Sequence, residues 1–301
     1  MEIAAIMEAL RENDGSIPPR KILRQAIAQQ EDITPLLIAE FIPAAEKLAE
    51  IDEEPAYIGH IYAFYLLAQF RETQAYQPII DFVSVPGETI MDITGDFVTE
   101  DLANVLASVC DGNLDPIKQT IENRAVNEYV RSASMRALLS LVVEREISRE
   151  SVLDYFEEIW PKLRQETDDD DDFIYHSLMM YSLDLCPHKS LAEVIRQDYE
   201  SKRILSEWST IQDLDWALTL GPEHALKKLI KQRHGFITDV FKSLAWWGWF
   251  QDSSPKKKRP AAAGMGQSSG FAELKKGDPK RKKKRQSQKQ SRKQNRSRKK
   301  R

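Results

Sequence analysis

Glu128-Tyr129-Val130-Arg131-Ser132-Ala133-Ser134-Met135-Arg136-Ala137-Leu138-Leu139-Ser140-Leu141-Val142-Val143 is the stretch that decides the fold. Wound as a helix at about 100° per residue, its apolar side chains cover most of the circumference instead of one stripe. Val130, Ala137 and Leu141 fall on one side, and Met135, Leu138, Leu139, Val142 and Val143 sweep round the rest. Only a narrow sector with Arg136, Ser140 and Glu144 is expected to look outward. A helix this apolar must be an inner element in a stack of helices.

The rest of the chain follows a helical grammar. Residues 2–12 read as a first helix stopped by Asn13-Asp14-Gly15, and Pro18-Pro19 open a second through about Gln30, since proline in a first turn forfeits only an orphan donor. Thr34-Pro35 reads as a cap and first turn for a helix to Glu50, with Pro43 expected to kink or divide it. Residues 56–71 form another helix apolar nearly all round. Gln77-Pro78, Thr99 and Asp115-Pro116 then mark starts, and Ser148 caps a helix to about Arg164. Helices are predicted again at 173–185, 189–202, 211–219, 222–233 and 236–250. No stretch alternates as a strand would, so the fold class is all-α. Helix pairs recurring every 30–40 residues, at 34–71, 75–109, 115–145 and 148–185, point to a HEAT- or armadillo-like α-solenoid.

Val130-Arg131-x-Ala133-x-x-Arg136-Ala137-Leu138 resembles the signature of a HEAT-repeat helix. That resemblance implies a buried acidic partner for Arg131, making it a structural ion-pair residue; Asp96, Glu100, Asp101 and Glu128 are the candidates. A wider resemblance covers about residues 18–165. Gly59-His60-Ile61-Tyr62 through Arg71-Glu72, then Gly95-Asp96-Phe97-Val98-Thr99-Glu100-Asp101-Leu102, and the stretch at 128–143 are similar to a bacterial helical family described only as a domain of unknown function. Some of its members look to carry a Cys-rich zinc motif of the SecA C-terminal type after the helical domain. This chain has only Cys110 and Cys186, far apart, so that metal site is not carried over.

Charge is divided unevenly. Residues 251–301 hold 20 Lys and Arg against Asp252, Glu273 and Asp278, a net of +17, whereas residues 1–250 carry a net of −21. We therefore expect an acidic helical domain over 1–250 and a disordered cationic tail over 251–301, too polar to bury a core. The clusters Lys256, Lys257, Lys258, Arg259 and Lys280, Arg281, Lys282, Lys283, Lys284, Arg285 suit phosphate backbones through counterion release. They also look like nuclear-import signals, meaningful for a bacterium inside a eukaryotic host. Unpaired cysteines, no secretory leader and no apolar run of membrane-spanning length predict a cytoplasmic chain without a membrane partner.

No pattern of residues demands catalysis. His60 reads as a packed histidine, and Gln69, Arg71 and Glu72 with Asp96, Thr99, Glu100 and Asp101 as polar groups gathered at one edge of the stack. An acidic and histidine site there, of hydrolase or lyase type, is the enzymatic alternative. Asp168–Asp172 lacks the alternation and glycine of a calcium loop, and Cys186-Pro187-His188 with His176 lacks a second spaced pair for zinc. The expectation is a non-enzymatic scaffold without cofactor or metal. It binds a protein partner, with Trp246, Trp249 and Phe250 as candidate anchors, and its tail reaches nucleic acid.

Overall fold

A computed structural model of the chain describes residues 1–12, 19–53, 57–166, 173–204 and 209–245. Among them every regular element is helical, and no strand occurs. The N-terminal helices are α1 (Ile3–Arg11), α2 (Arg20–Ala28), α3 (Gln30–Ile38) and α4 (Ala44–Glu53). The middle of the chain holds α5 (Gly59–Phe70), α6 (Tyr76–Val83), α7 (Thr89–Thr94), α8 (Phe97–Glu100), α9 (Leu102–Val109) and α10 (Asp115–Glu122). There follow α11 (Glu128–Val143), α12 (Arg149–Glu166), α13 (Phe173–Asp184), α14 (Lys189–Glu200), α15 (Ile211–Lys231) and the short α16 (Val240–Leu244).

These helices stack in two rows. In one row α3 packs on α5, α5 on α9, α9 on α11, α11 on α13 and α13 on α15. In the other, α4 packs on α6 and α6 on α10. That row continues where the Tyr155 and Lys162 side chains of α12 meet α10, and where Trp160 donates to Asp198 of α14. Contacts between neighbouring pairs recur at a spacing of 36 or 37 residues. Examples are Tyr65 with Asp101, Arg71 with Ser108, Tyr76 with Asn113, Ser140 with Asn104 and Arg149 with Cys186. This arrangement is compatible with the helical-repeat reading.

Placement in the inner row explains α11. It lies between α9 and α13 with α10 behind it, so apolar residues on every side find a neighbour. Met135, Ala137 and Leu139 are fully buried. Truncating Leu139 to alanine would cost about 2–5 kcal/mol. Of the sector expected to face solvent, Glu144 is exposed and Arg136 half-buried, but Ser140 is fully buried, because Asn104 of α9 and His234 cover it. Asn127 caps the helix through its side chain, which accepts from the Tyr129 N–H at 3.0 Å. Arg145 closes it in a left-handed conformation (φ 65°), with the Glu146 N–H reaching back to the Leu141 carbonyl. Arg71 closes α5 the same way (φ 55°).

Several sequence signals land where expected. A 3₁₀ turn at Ala39–Phe41 and a fresh start at Ala44 divide the helix at Pro43. The Ser148 hydroxyl accepts the Ser151 N–H at 3.1 Å, and α15 breaks at Gly221-Pro222, where Gly221 adopts φ 76°. Others do not. Thr34 sits inside α3, its hydroxyl bonded to the Gln30 carbonyl, because the helix begins four residues earlier. Thr99 likewise lies within α8 and donates to the Asp96 carbonyl instead of capping. The helix expected over 236–250 is, among the described residues, only Val240–Leu244. Asp239 is its cap, accepting from the Phe241 and Lys242 N–H groups, and the residues before it leave the helix for other partners.

Candidate functional site

Those other partners define the most distinctive polar feature of the described chain. After α15 the backbone turns at Arg233 (φ 70°) and Gly235 (φ 137°) and runs back across α11, α9 and α5. Its own main chain is read by side chains of those helices. Asn104 on α9 donates to the Arg233 carbonyl at 2.8 Å and accepts the Gly235 N–H at 3.3 Å. Glu144, at the end of α11, accepts the Phe236 N–H at 2.9 Å. Ser108 takes the Ile237 N–H at 2.8 Å, and Gln69 on α5 takes the Val240 N–H at 2.7 Å. We call residues 233–244 the strap.

The 36- or 37-residue spacing of contacts recurs among the receiving residues. Asn104 and Ser140 are 36 residues apart and bonded to each other at 2.8 Å. Arg71 and Ser108 are 37 apart, and the Arg71 Nε donates to the Ser108 carbonyl at 2.7 Å. Held there, and paired with Glu146 at 3.7 Å, the Arg71 guanidinium lies 3.3 Å from the centre of the Phe236 ring. Ile237, Val240 and Leu244 are buried beside it. Gly235 is favoured by its φ of 137°; a Cβ there would meet Glu144 Oε1 at 2.5 Å, a contact the flexible glutamate can relieve by shifting its carboxylate.

At the root of the strap, His234 is half-buried against Ser140, Nδ1 lying 3.4 Å from the hydroxyl. Burial, then the charges of Arg136 and Lys228, lower its pKa to about 3, so it is neutral. Arg136 donates to the Thr99 and Glu100 carbonyls at the end of α8, and Lys228 pairs with Asp184 at 2.7 Å. Burial raises the Asp184 pKa against that pairing.

The polar edge expected from the sequence is therefore partly assembled. Gln69 and Arg71 belong to the strap's seat, and Thr99 and Glu100 lend their carbonyls beside it. Glu72 turns away to cap the Thr73–Ala75 turn, and Asp101 accepts the Tyr65 hydroxyl. Asn104, Ser108, Glu144 and Phe236 escaped the sequence reading, their partners being 92–131 residues distant. Arg131 is buried as expected, and its Nε donates to the Ile121 carbonyl at 2.7 Å, in the last turn of α10.

Two histidines occupy separate settings. His60 is fully buried on α5, stacked on Tyr57, and neither ring nitrogen completes a hydrogen bond. Burial lowers its pKa to about 4, partly offset by the Ile93 backbone. His188 caps α14, its Nδ1 facing the Leu191 N–H at 3.3 Å and the Ser190 hydroxyl at 3.1 Å. With Nδ1 accepting, Nε2 carries the proton toward Asp154 (3.3 Å) and Glu157 (3.6 Å). Asp154, His188 and Ser190, with Lys189 and Glu193, border an open hollow of about 600 Å³. The Ser190 hydroxyl donates to Glu157 at 3.0 Å, and the Nδ1 lone pair is taken up by the cap, so no relay from serine to histidine is set up.

Among the described residues no group of three or more His, Cys, Asp or Glu is arranged to hold a metal ion. No described helix is long and apolar enough to cross a membrane. Trp246, Trp249 and Phe250, Asp168–Asp172 and both basic clusters, Lys256–Arg259 and Lys280–Arg285, lie outside the described residues.

Two rows of helices, cross-linked at a repeat of 36 or 37 residues and closed by a main-chain strap, make this an all-helical stacked protein. The chain belongs to the family described as "Protein of unknown function (DUF1186)", which it matches over residues 1–251. That span exceeds the 18–165 suggested by the motifs and takes in the strap. An uncharacterized protein of Chlamydia trachomatis serovar D is 33% identical over 250 residues, covering 82% of this chain and 96% of that protein. One from Chlamydia muridarum is 35% identical over 250 residues, 82% of this chain and 97% of its own length. No solved structure matches the chain.

Proposed function

We propose that the chain is a non-enzymatic helical-repeat scaffold. Its acidic body, residues 1–250, binds a protein partner, and residues 251–301 tether it to nucleic acid in the cytoplasm. The observation that carries this reading is the charge division, −21 over the first 250 residues and +17 over the last 51. The family match ends at residue 251, and the two chlamydial relatives are matched over nearly their whole length. The cationic stretch is thus an addition to the family body. Lys256, Lys257, Lys258, Arg259 and Lys280, Arg281, Lys282, Lys283, Lys284, Arg285 are the phosphate-binding residues in this reading. Trp246, Trp249 and Phe250 are its aromatic anchors, and Arg131 serves the body as a structural ion-pair residue.

The test compares RNA and DNA affinity of the full chain with a chain ending at Gln251. The full chain should bind more tightly, and its affinity should fall by about 10³ or more between 50 and 200 mM salt. Equal, weak binding by both would refute the tether. A second reading, that the clusters at 256–259 and 280–285 are import signals, rests on their Lys/Arg runs flanked by Pro255, Pro260 and Pro279. It predicts nuclear accumulation of a fluorescent fusion in eukaryotic cells, abolished when both clusters are changed to alanine. Unchanged distribution would count against it.

A further inference from the structure

The strap has a chemistry that a mere covering segment does not need. Gly235, Phe236, Ile237 and Val240 hand their N–H groups to side chains, not to a helix or strand of their own. The recipients come from α5, α9 and α11, at positions the repeat brings into line. Such a row reads an extended main chain whatever its side chains are. Selectivity is added at three points. The backbone at Gly235, φ 137°, favours glycine, the Arg71 guanidinium offers a flat cationic face to an aromatic ring, and buried seats receive Ile237 and Val240. Glu144 and Glu146 add negative charge beside a segment that enters through Lys231 and Arg233.

We propose that the edge formed by Gln69, Arg71, Asn104, Ser108 and Glu144 is a peptide-binding surface, with residues 233–240 as its resident occupant. Its partner is an extended protein segment with a basic flank, then glycine, an aromatic residue and a branched aliphatic one in succession. The strap is the competitor that this partner displaces. The inference rests on the scaffold reading and names the kind of protein such a scaffold holds.

The test uses the full chain and a labelled peptide with the sequence of residues 231–245, read by fluorescence anisotropy. Tethered to its own seat, the strap competes at about millimolar effective concentration, so the wild-type chain should bind the peptide weakly. Ile237→Asp with Val240→Asp loosens the strap and leaves the seat intact. That variant should bind the peptide at least about tenfold more tightly. Phe236→Ala or Gly235→Val within the peptide should each cost about tenfold. A variant with wild-type helical content that binds no peptide, or binds a scrambled one equally, would overturn the proposal.

Should the double variant fail to fold, a protease site placed after Gln232 in the full chain gives a second route. After cleavage the C-terminal piece should stay bound and exchange with excess free peptide. A piece that departs while the body takes up no peptide, or one that never exchanges, would refute a peptide site. A negative peptide result with nucleic-acid binding intact would remove this inference alone, whereas equal nucleic-acid binding with and without the tail removes the tether alone.

Discussion

Asn104→Ala removes two of the strap's side-chain anchors at once, where Gln69, Ser108 and Glu144 each supply one. The wild-type side chain donates to the Arg233 carbonyl at 2.8 Å, accepts the Gly235 N–H at 3.3 Å and accepts the Ser140 hydroxyl at 2.8 Å. Ser140 is fully buried, and without Asn104 its hydroxyl keeps only the longer contact to His234 Nδ1 at 3.4 Å. Leaving the N–H of buried Gly235 unpaired and weakening the Ser140 bond costs about 1–3 kcal/mol, while the carbonyl of exposed Arg233 loses only about 1 kcal/mol or less. A total of about 1–4 kcal/mol follows, which for a domain of this size lowers Tm by about 2–16 °C.

Urea denaturation followed by circular dichroism, with hydrogen exchange on residues 233–240, measures both the global and the local effect. If Asn104→Ala moved stability by less than about 0.5 kcal/mol and left exchange at 235–240 unaltered, the anchoring described here would be wrong.

Other expectations concern buried charge and protonation. His60 has its pKa lowered to about 4 by burial, so its neutral form stabilises the fold fully above about pH 6.5. That contribution is lost as pH falls from 6.5 toward 4, because the unfolded chain then binds the extra proton. His60→Leu should flatten stability over that window by about 1.4 kcal/mol per pH unit; an unchanged slope in acid denaturation would contradict it. His234 sets a second acid-labile point, in the strap itself, since burial and the charges of Arg136 and Lys228 keep it neutral. Exchange at 235–237 should therefore rise below pH 6 before the helical signal declines, and a simultaneous loss would count against local opening. Asp198→Ala strips a fully buried carboxylate from Trp160, Tyr175 and Arg164. Arg164 is partly exposed, so a loss of about 3 kcal/mol is expected by denaturant titration, at the low end for a broken buried pair.

The inner helices were legible because burial on every side writes itself into local composition. Both α11 and α5 carry apolar residues all round, and both prove buried along their length. Breaks were legible wherever backbone chemistry forces them, at Pro43 and Gly221-Pro222. The strap was not. Ile237, Val240, Phe241 and Leu244 keep a helical spacing, so pattern alone extends a helix through residues whose N–H groups go elsewhere. Those partners lie up to 171 residues back in the chain, at Gln69, beyond the reach of any local period. Gly235 before an aromatic residue, and Asp239 as a cap, were the available hints of an interruption. Ser140 was assigned to solvent for the same reason: what covers it comes from α9 and residue 234.

Amide hydrogen exchange on the full chain at neutral pH reads the strap residue by residue. Gly235, Phe236, Ile237 and Val240 should be protected as strongly as the ends of α9 and α11, although Phe236 and Ile237 belong to no helix. Exchange at Phe236 and Ile237 at the rate of an unstructured peptide, with α9 and α11 still protected, would contradict the strap.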